Sequence, residues 1–322
     1  MFKDVFGLAK QVDLATEQTV MEYFAGVDAA DTGYNPQRIQ QDETTGSRFP
    51  NGSELGGEYW SPTASGPIRY ASIPRLLSCF WGAPVTTTPD AILAATGKKH
   101  SFESGAPLAH TLLMAREDPN PTIVDALVGC LGNDLTLDFS QNAFGKWSGT
   151  WFGVSLDDAQ PDPVVVRDTS KRIASPKVKA YISINGDGET EIKIGSWSLT
   201  YSNGIKPDDF ILGQTDLYNL EEENATASVK FAVREALSDH YRRALLQTPD
   251  LVKIRLTATG ALIGGAVSYT FEVIVNACEY ITAPAAIAAA SRLKMINVDA
   301  AAKIDATGKF ISADVINEVA AY

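Results

Sequence analysis

Residues 67–82, PIRYASIPRLLSCFWG, then residues 134–140, DLTLDFS, and 147–154, WSGTWFGV, decide how this chain folds. In the first piece Ser72 stands at a helix-capping position, and Pro74 is tolerated in the first turn. Ile73, Leu76, Leu77 and Phe80 then share one helical face, and Gly82 and Pro84 stop the helix. In the second piece Leu135, Leu137 and Phe139 alternate with Asp134, Thr136 and Asp138, the pattern of a half-buried strand. The third piece, rich in glycine and aromatics, suits its partner strand across a turn at residues 142–145. Between helix and strands, residues 83–105 read as a long polar loop around a small apolar patch at 91–95.

The same alternation recurs downstream. Val178, Ala180, Ile182 and Ile184 share a face, and residues 185–188 (NGDG) form a hairpin turn. Ile192 and Ile194 keep one parity whereas Trp197, Leu199 and Tyr201 take the other, which predicts a β-bulge at Gly195–Ser196. Further strand faces are Ala227, Val229, Phe231 and Val233; Val252, Ile254 and Leu256; and Val267, Tyr269, Phe271, Val273 and Val275. Helices are expected at residues 17–24, started by Thr16, at 234–246 and at 285–293. Residues 310–322 suit a final strand or a C-terminal arm.

This pattern predicts a mainly β chain: a β-sandwich or partial barrel with one flanking α-helix, an extended N-terminal arm and long loops. We divide it into an arm (1–50), a sandwich core (51–283, with a loop near 157–163 between its halves) and an Ala-rich C-terminal segment (284–322).

The chain has 322 residues, 45% hydrophobic and 20% charged, an ordinary globular composition with enough apolar material for a core. No apolar run is long enough to cross a bilayer, and residues 1–10 lack the pattern of a signal peptide. Cys79, Cys130 and Cys278 are too few and too far apart for a disulfide framework or a CxxC metal site, and read as buried thiols. A net charge of −12 disfavours adhesion to nucleic acid, although it also serves plain solubility.

Motifs for chemistry are missing from the sequence. His100, His110 and His240 are not spaced as metal ligands or next to a nucleophile. Residues 145–149 (GKWSG) place the serine one position off a nucleophile elbow, and residues 260–265 (GALIGG) fail the dinucleotide pattern and read as a hairpin turn. Residues 185–191 (NGDGETE) lack the glycine and distal glutamate of a calcium loop. The run Glu221–Glu223 reads as a solvated face. No catalytic, cofactor-binding or metal-binding residue is assigned, and no cofactor is expected.

The ordered set of motifs resembles the tail tube proteins of long-tailed bacteriophages. Residues 6–16 (FGLAKQVDLAT) are similar to the opening of that family. The stretch ending in Gly82, the His110 segment leading to a Pro-rich turn, and Gly129-Cys130 with the strand after it follow in the family's order. Trp197 and the Asn203-Gly204 turn resemble its later strand. The Ala-rich region departs from the pattern.

The resemblance implies a non-enzymatic virion protein, assembled in the host bacterial cytoplasm. Its copies would form hexameric rings with a continuous inner β-barrel, stacked into a hollow tube that conducts viral DNA without specific binding. Tape-measure and tail-tip or terminator proteins are the implied partners. On this reading Phe2, Phe6, Leu8 and Tyr34 in the arm, and Ile92, Leu93 and Phe102 in the long loop, are candidates for contacts between rings or subunits. Other sandwich proteins remain open: a different tail or capsid-decoration component, or a carbohydrate-binding adhesin using Trp147, Trp151 and Phe152.

Overall fold

A computed structural model describes residues 5–18, 21, 23–25, 27–40, 53–89, 97–116, 123–157, 168–184, 186, 188–233, 252–263, 267–282, 285–286 and 295–322. In chain order the first strands are β1 (Val5–Lys10), β2 (Tyr23–Ala25), β3 (Ala29–Asp31), β4 (Tyr34–Gln40), β5 (Ser53–Trp60) and β6 (Thr63–Pro67), followed by helix α1 (Ile73–Trp81). Next come β7 (Val85–Thr87), β8 (Lys98–Glu103), β9 (His110–Arg116), β10 (Ile123–Ser140), β11 (Lys146–Phe152) and β12 (Ser155–Asp157). Then follow β13 (Val178–Ile184), β14 (Thr190–Ile192), β15 (Ile194–Ser202), β16 (Lys206–Asp209), β17 (Asn219–Glu221) and β18 (Thr226–Val233). The last are β19 (Val252–Ile263), β20 (Val267–Thr282), β21 (Ala285–Ala286), β22 (Met295–Lys303) and β23 (Ile311–Asn317).

Two large antiparallel sheets face each other across one core. The front sheet runs β3–β6–β11–β10–β15–β18–β22, and the back sheet runs β7–β8–β23–β20–β19–β13–β14. Strand β20 belongs to both. Thr270–Val275 pair with β23, then Ala277–Thr282 pair with β22, while β19 runs along the other edge. The shared strand turns one sheet into the other, and Phe139 meets Phe271 across the interior with ring centroids 6.4 Å apart. Open edges remain at β3, β7 and β14, and no sheet closes into a barrel among the described residues.

A side sheet, β2–β1–β9–β10–β12, uses the first half of β10. Strand β10 passes from this sheet into the front sheet at Gly129, whose φ of +66° suits glycine. A side chain there would meet Leu14 O at 2.4 Å, and the Gly129 N–H donates to Gln11 Oε1 at 2.8 Å. Two small ribbons, β4–β5 and β16–β17, stand outside these sheets.

Helix α1 forms where its apolar spacing predicts and packs against β10 and β8. Ile73, Leu76, Leu77 and Phe80 are all buried, each contributing on the order of 2 kcal/mol. Gly82 ends the helix at φ +89°. Ser72 occupies the N-cap, but its side chain makes no capping hydrogen bond.

The bulge near Gly195 is present as a register shift between Ile194 and Ser196. Other expectations need correction. The described residues of 17–24 are not helical: Tyr23–Ala25 pair with Phe6–Leu8 as a strand, and ahead of them the Asp13 carboxylate accepts from the Ala15 and Thr16 N–H groups in a turn. Residues 83–105 are not one loop, since they contain β7 and β8. Ala285 and Ala286 pair with β22 as a strand rather than opening a helix. The helix expected at 234–246 lies outside the described residues. Residues 311–317 are a strand in the middle of the back sheet.

Candidate assembly surfaces

The outer face of the front sheet is unusual in chemistry. Alternation sends Trp197, Leu199 and Tyr201 inward and leaves Ser196, Ser198, Thr200 and Ser202 outward. The register then aligns Ser65, Ser148, Thr136, Thr200, Ser228 and Ala301 in one row across six strands. The next row holds Lys146, Asp138, Ser198, Lys230 and Asp299. Each lysine of this sheet stands near a carboxylate: Lys146 to Asp28 at 3.3 Å, Lys230 to Asp299 at 3.8 Å and Lys303 to Glu279 at 3.4 Å. Asp138, Ser198, Lys230 and Asp299 border an open hollow of about 590 Å³ on this face.

The outer face of the back sheet is built from ion pairs instead. The Arg255 guanidinium donates to Glu189 and, at 2.8 Å, to Glu272, and lies over the Tyr181 ring at 4.2 Å. Lys99 pairs with Asp314 at 2.9 Å, and Lys309 pairs with Glu103. Lys309–Glu103 is solvent-exposed and contributes about 0–1 kcal/mol, whereas the Lys99 and Arg255 pairs are partly shielded.

Ribbon β4–β5 joins the front sheet at Trp60, which bridges to Gly153 just beyond β11. Ile39 (63% exposed) and Leu55 (40%) stand on it in solvent. A two-stranded ribbon is marginal alone, but this one is braced: the Glu58 N–H donates to Thr215 O at 2.8 Å, and Tyr59 packs edge-on against Phe152.

The contact candidates divide. Phe6 and Leu8 are fully buried, with Phe6 against Trp147 and Trp151, and Phe102 is buried in the same core. Their side chains are therefore not offered to a neighbour; an apolar N-terminal stretch that reads as an arm is here a sheet strand. Tyr34 is half exposed, and its hydroxyl donates to Glu58 Oε2 at 2.7 Å. Phe2, Ile92 and Leu93 lie outside the described residues. Sequence reasoning missed Ile39, Leu55 and Leu212, the last wholly exposed. Isolated apolar residues among polar ones carry no periodic signal.

The titratable groups are set for packing. Burial pushes the His110 imidazole down to about 4 and the Cys79 and Cys278 thiols up to about 12; Cys130 is raised too. Burial also lowers His100, whose Nε2 lies 3.1 Å from both Asn317 Oδ1 and Val319 O. Thiols so raised are not nucleophiles near neutral pH. Among the described residues no group of three His, Cys, Asp or Glu could hold a metal ion, and no helix is long and apolar enough to cross a membrane. Trp147 and Trp151 are buried, which removes the exposed aromatic cluster an adhesin would use.

A search of the curated proteins finds no match. The model of the phage tail tube protein family, however, matches residues 4–311. With nearly its whole length matched, and a mainly β sandwich to go with it, this chain belongs to the phage tail tube proteins, structural components of the bacteriophage tail.

Proposed function

We propose that copies of this chain close into hexameric rings, that the rings stack into a hollow tube, and that viral DNA passes through it without specific binding. The hydroxyl rows of the front sheet carry this reading, with that face lining the bore. Small hydroxyl side chains keep a water layer, and lysines held beside carboxylates attract phosphate weakly. Rings close by pairing the open edges of neighbouring copies, which removes the exposed strand edges. Ribbon β4–β5 reaches from one ring to the next. A tape-measure protein would occupy the bore during assembly in the host cytoplasm, and tail-tip and terminator proteins would cap the two ends.

Electron microscopy of the purified protein at rising concentration tests the assembly. Hollow tubes or rings with sixfold end views are expected; persistent monomers in the presence of tail-tip components would count against it. Thr200→Cys tests the bore. In the tube this thiol should react with a small maleimide but not with a bulky one, whereas Lys179→Cys on the back sheet should react with both. Equal reaction of Thr200→Cys with both reagents would place the front face elsewhere.

A further inference from the structure

The two ends of the sandwich differ in charge and in shape. Strand β10 runs between them: Asp134 pairs with Ser202 near one end, and Ser140 pairs with Ser196 at the other. At the Ser140 end, main-chain hydrogen bonds tie together Ile68, Gly145 and Ile173, and the Ser175 N–H donates to Ala143 O at 3.0 Å. Residues 168–177 hold three cations, Lys171, Arg172 and Lys177, against one carboxylate, Asp168. All three cations are exposed, and none has an ion-pair partner among the described residues. Arg172 lies 5.7 Å over the half-exposed Phe144 ring. Beside them opens a cleft of about 380 Å³, lined by Phe139, Val178 and Ile194 with Asn142, Ser175 and Pro176.

The opposite end carries the reverse. After Gly204, residues 205–224 leave the sheet as an excursion containing β16 and β17, with six carboxylates against one lysine. That lysine, Lys206, is paired with Glu223. Its underside is fixed: Leu217 and Leu220 are buried with Leu131, and Phe210 packs on this cluster. Its tip is bare. Leu212 is 101% exposed, Ile211 is 40% and Tyr218 is 61%. An apolar tip on an acidic excursion is thus held at one end, and a cleft of mixed lining, with Phe139, Val178 and Ile194 among polar residues, opens beside cations at the other.

We infer that copies of this chain join head to tail, with Ile211 and Leu212 of one copy seated in the Phe139–Val178–Ile194 cleft of the next and the surrounding carboxylates facing Lys171, Arg172 and Lys177. The occupant is a second copy because both halves of the contact are on this one chain. A contact between two different surfaces of the same chain propagates as an open filament. Copies that each carry −12 repel on approach, so the charge contrast also orients the encounter. The inference rests on the self-assembly proposed above.

The test is charge reversal read by light scattering and electron microscopy at several salt concentrations. Lys171→Glu with Arg172→Glu and Lys177→Glu makes both ends acidic. Asp209→Lys with Asp216→Lys and Glu221→Lys removes the acidic end. Each set alone should slow tube growth on the order of tenfold or more at low salt, and both sets in one chain should restore it. Leu212→Asp should also stop growth while leaving the monomer's melting temperature unchanged. Growth unaffected by either set, or not restored by the combination in chains that melt normally, overturns the head-to-tail contact while the tube stands. Failure of the unaltered chain to assemble at all overturns both.

Discussion

The side-chain amide of Asn203 holds the last turn of helix α1: Nδ2 donates to Phe80 O at 3.0 Å and to Gly132 O at 2.7 Å. Its Oδ1 accepts from the Tyr201 hydroxyl at 2.8 Å. One buried residue thus joins helix, front sheet and the start of the acidic excursion. Replacing Asn203 with Leu leaves two carbonyls and a hydroxyl unpaired in the interior. The expected loss is about 3 kcal/mol, measured by urea unfolding. A loss well below 1 kcal/mol would mean that water takes the amide's place.

The helix also sits close enough to the sheet to demand glycine beneath it. A Cβ on Gly132 would come within 2.5 Å of Phe80 Cδ1 and 2.6 Å of Cys79 O. Gly132→Ala should therefore cost about 1–3 kcal/mol. Gly188→Ala, where nothing lies within 4 Å, should change stability by less than about 0.5 kcal/mol. Equal effects from the two substitutions would contradict the tight approach.

Acid should weaken the subunit through His110. Its Nδ1 donates to Leu108 O at 2.8 Å, while Nε2 is buried without a partner. Burial lowers the folded pKa to about 4 from 6.5, so the unfolded chain takes up the proton first. The stability is complete above about pH 6.5 and is lost as the pH falls toward 4, by about 3 kcal/mol in all. His100 is shifted in the same direction. His110→Gln should flatten the melting temperature against pH over this window; an unchanged slope would assign the acid sensitivity elsewhere.

If the front face lines the bore, cations placed there should retard DNA. Thr136→Lys or Thr200→Lys adds a lysine to the hydroxyl row. Ejection from particles carrying either variant should slow, most at low ionic strength, where phosphate contacts are strongest. Ser312→Lys, on a strand inside the back sheet, should leave the rate unchanged. Equal slowing by all three would point to a general assembly defect.

Much of this fold was readable because strand alternation is local. Leu135, Leu137 and Phe139 announce their face, and the phase slip before Trp197 announces the bulge. The shared role of β20 was not readable, since its residues look like one long regular strand and only β22 and β23 decide where it bends. The strand at Tyr23 was missed because its apolar residues fit either period over so short a run. The basic end was hidden for another reason. Arg69 and Arg172 are far apart in sequence and are brought together as bridge partners, beside main-chain bonds among Ile68, Gly145 and Ile173. The run Glu221–Glu223 was visible, but the Leu212 tip it flanks gained meaning only once its anchorage was known.

Strand β23 lies between β20 and β8 and, among the described strands, supplies the ladder that joins the β7–β8 pair to the rest of the back sheet. Without Ile311–Asn317 the back layer lacks its middle, and such a chain cannot present a finished surface to its neighbours. The pairing of one strand thereby decides whether a copy is competent to join a filament, and a chain cut before Ile311 should be open to protease across β8 and β20.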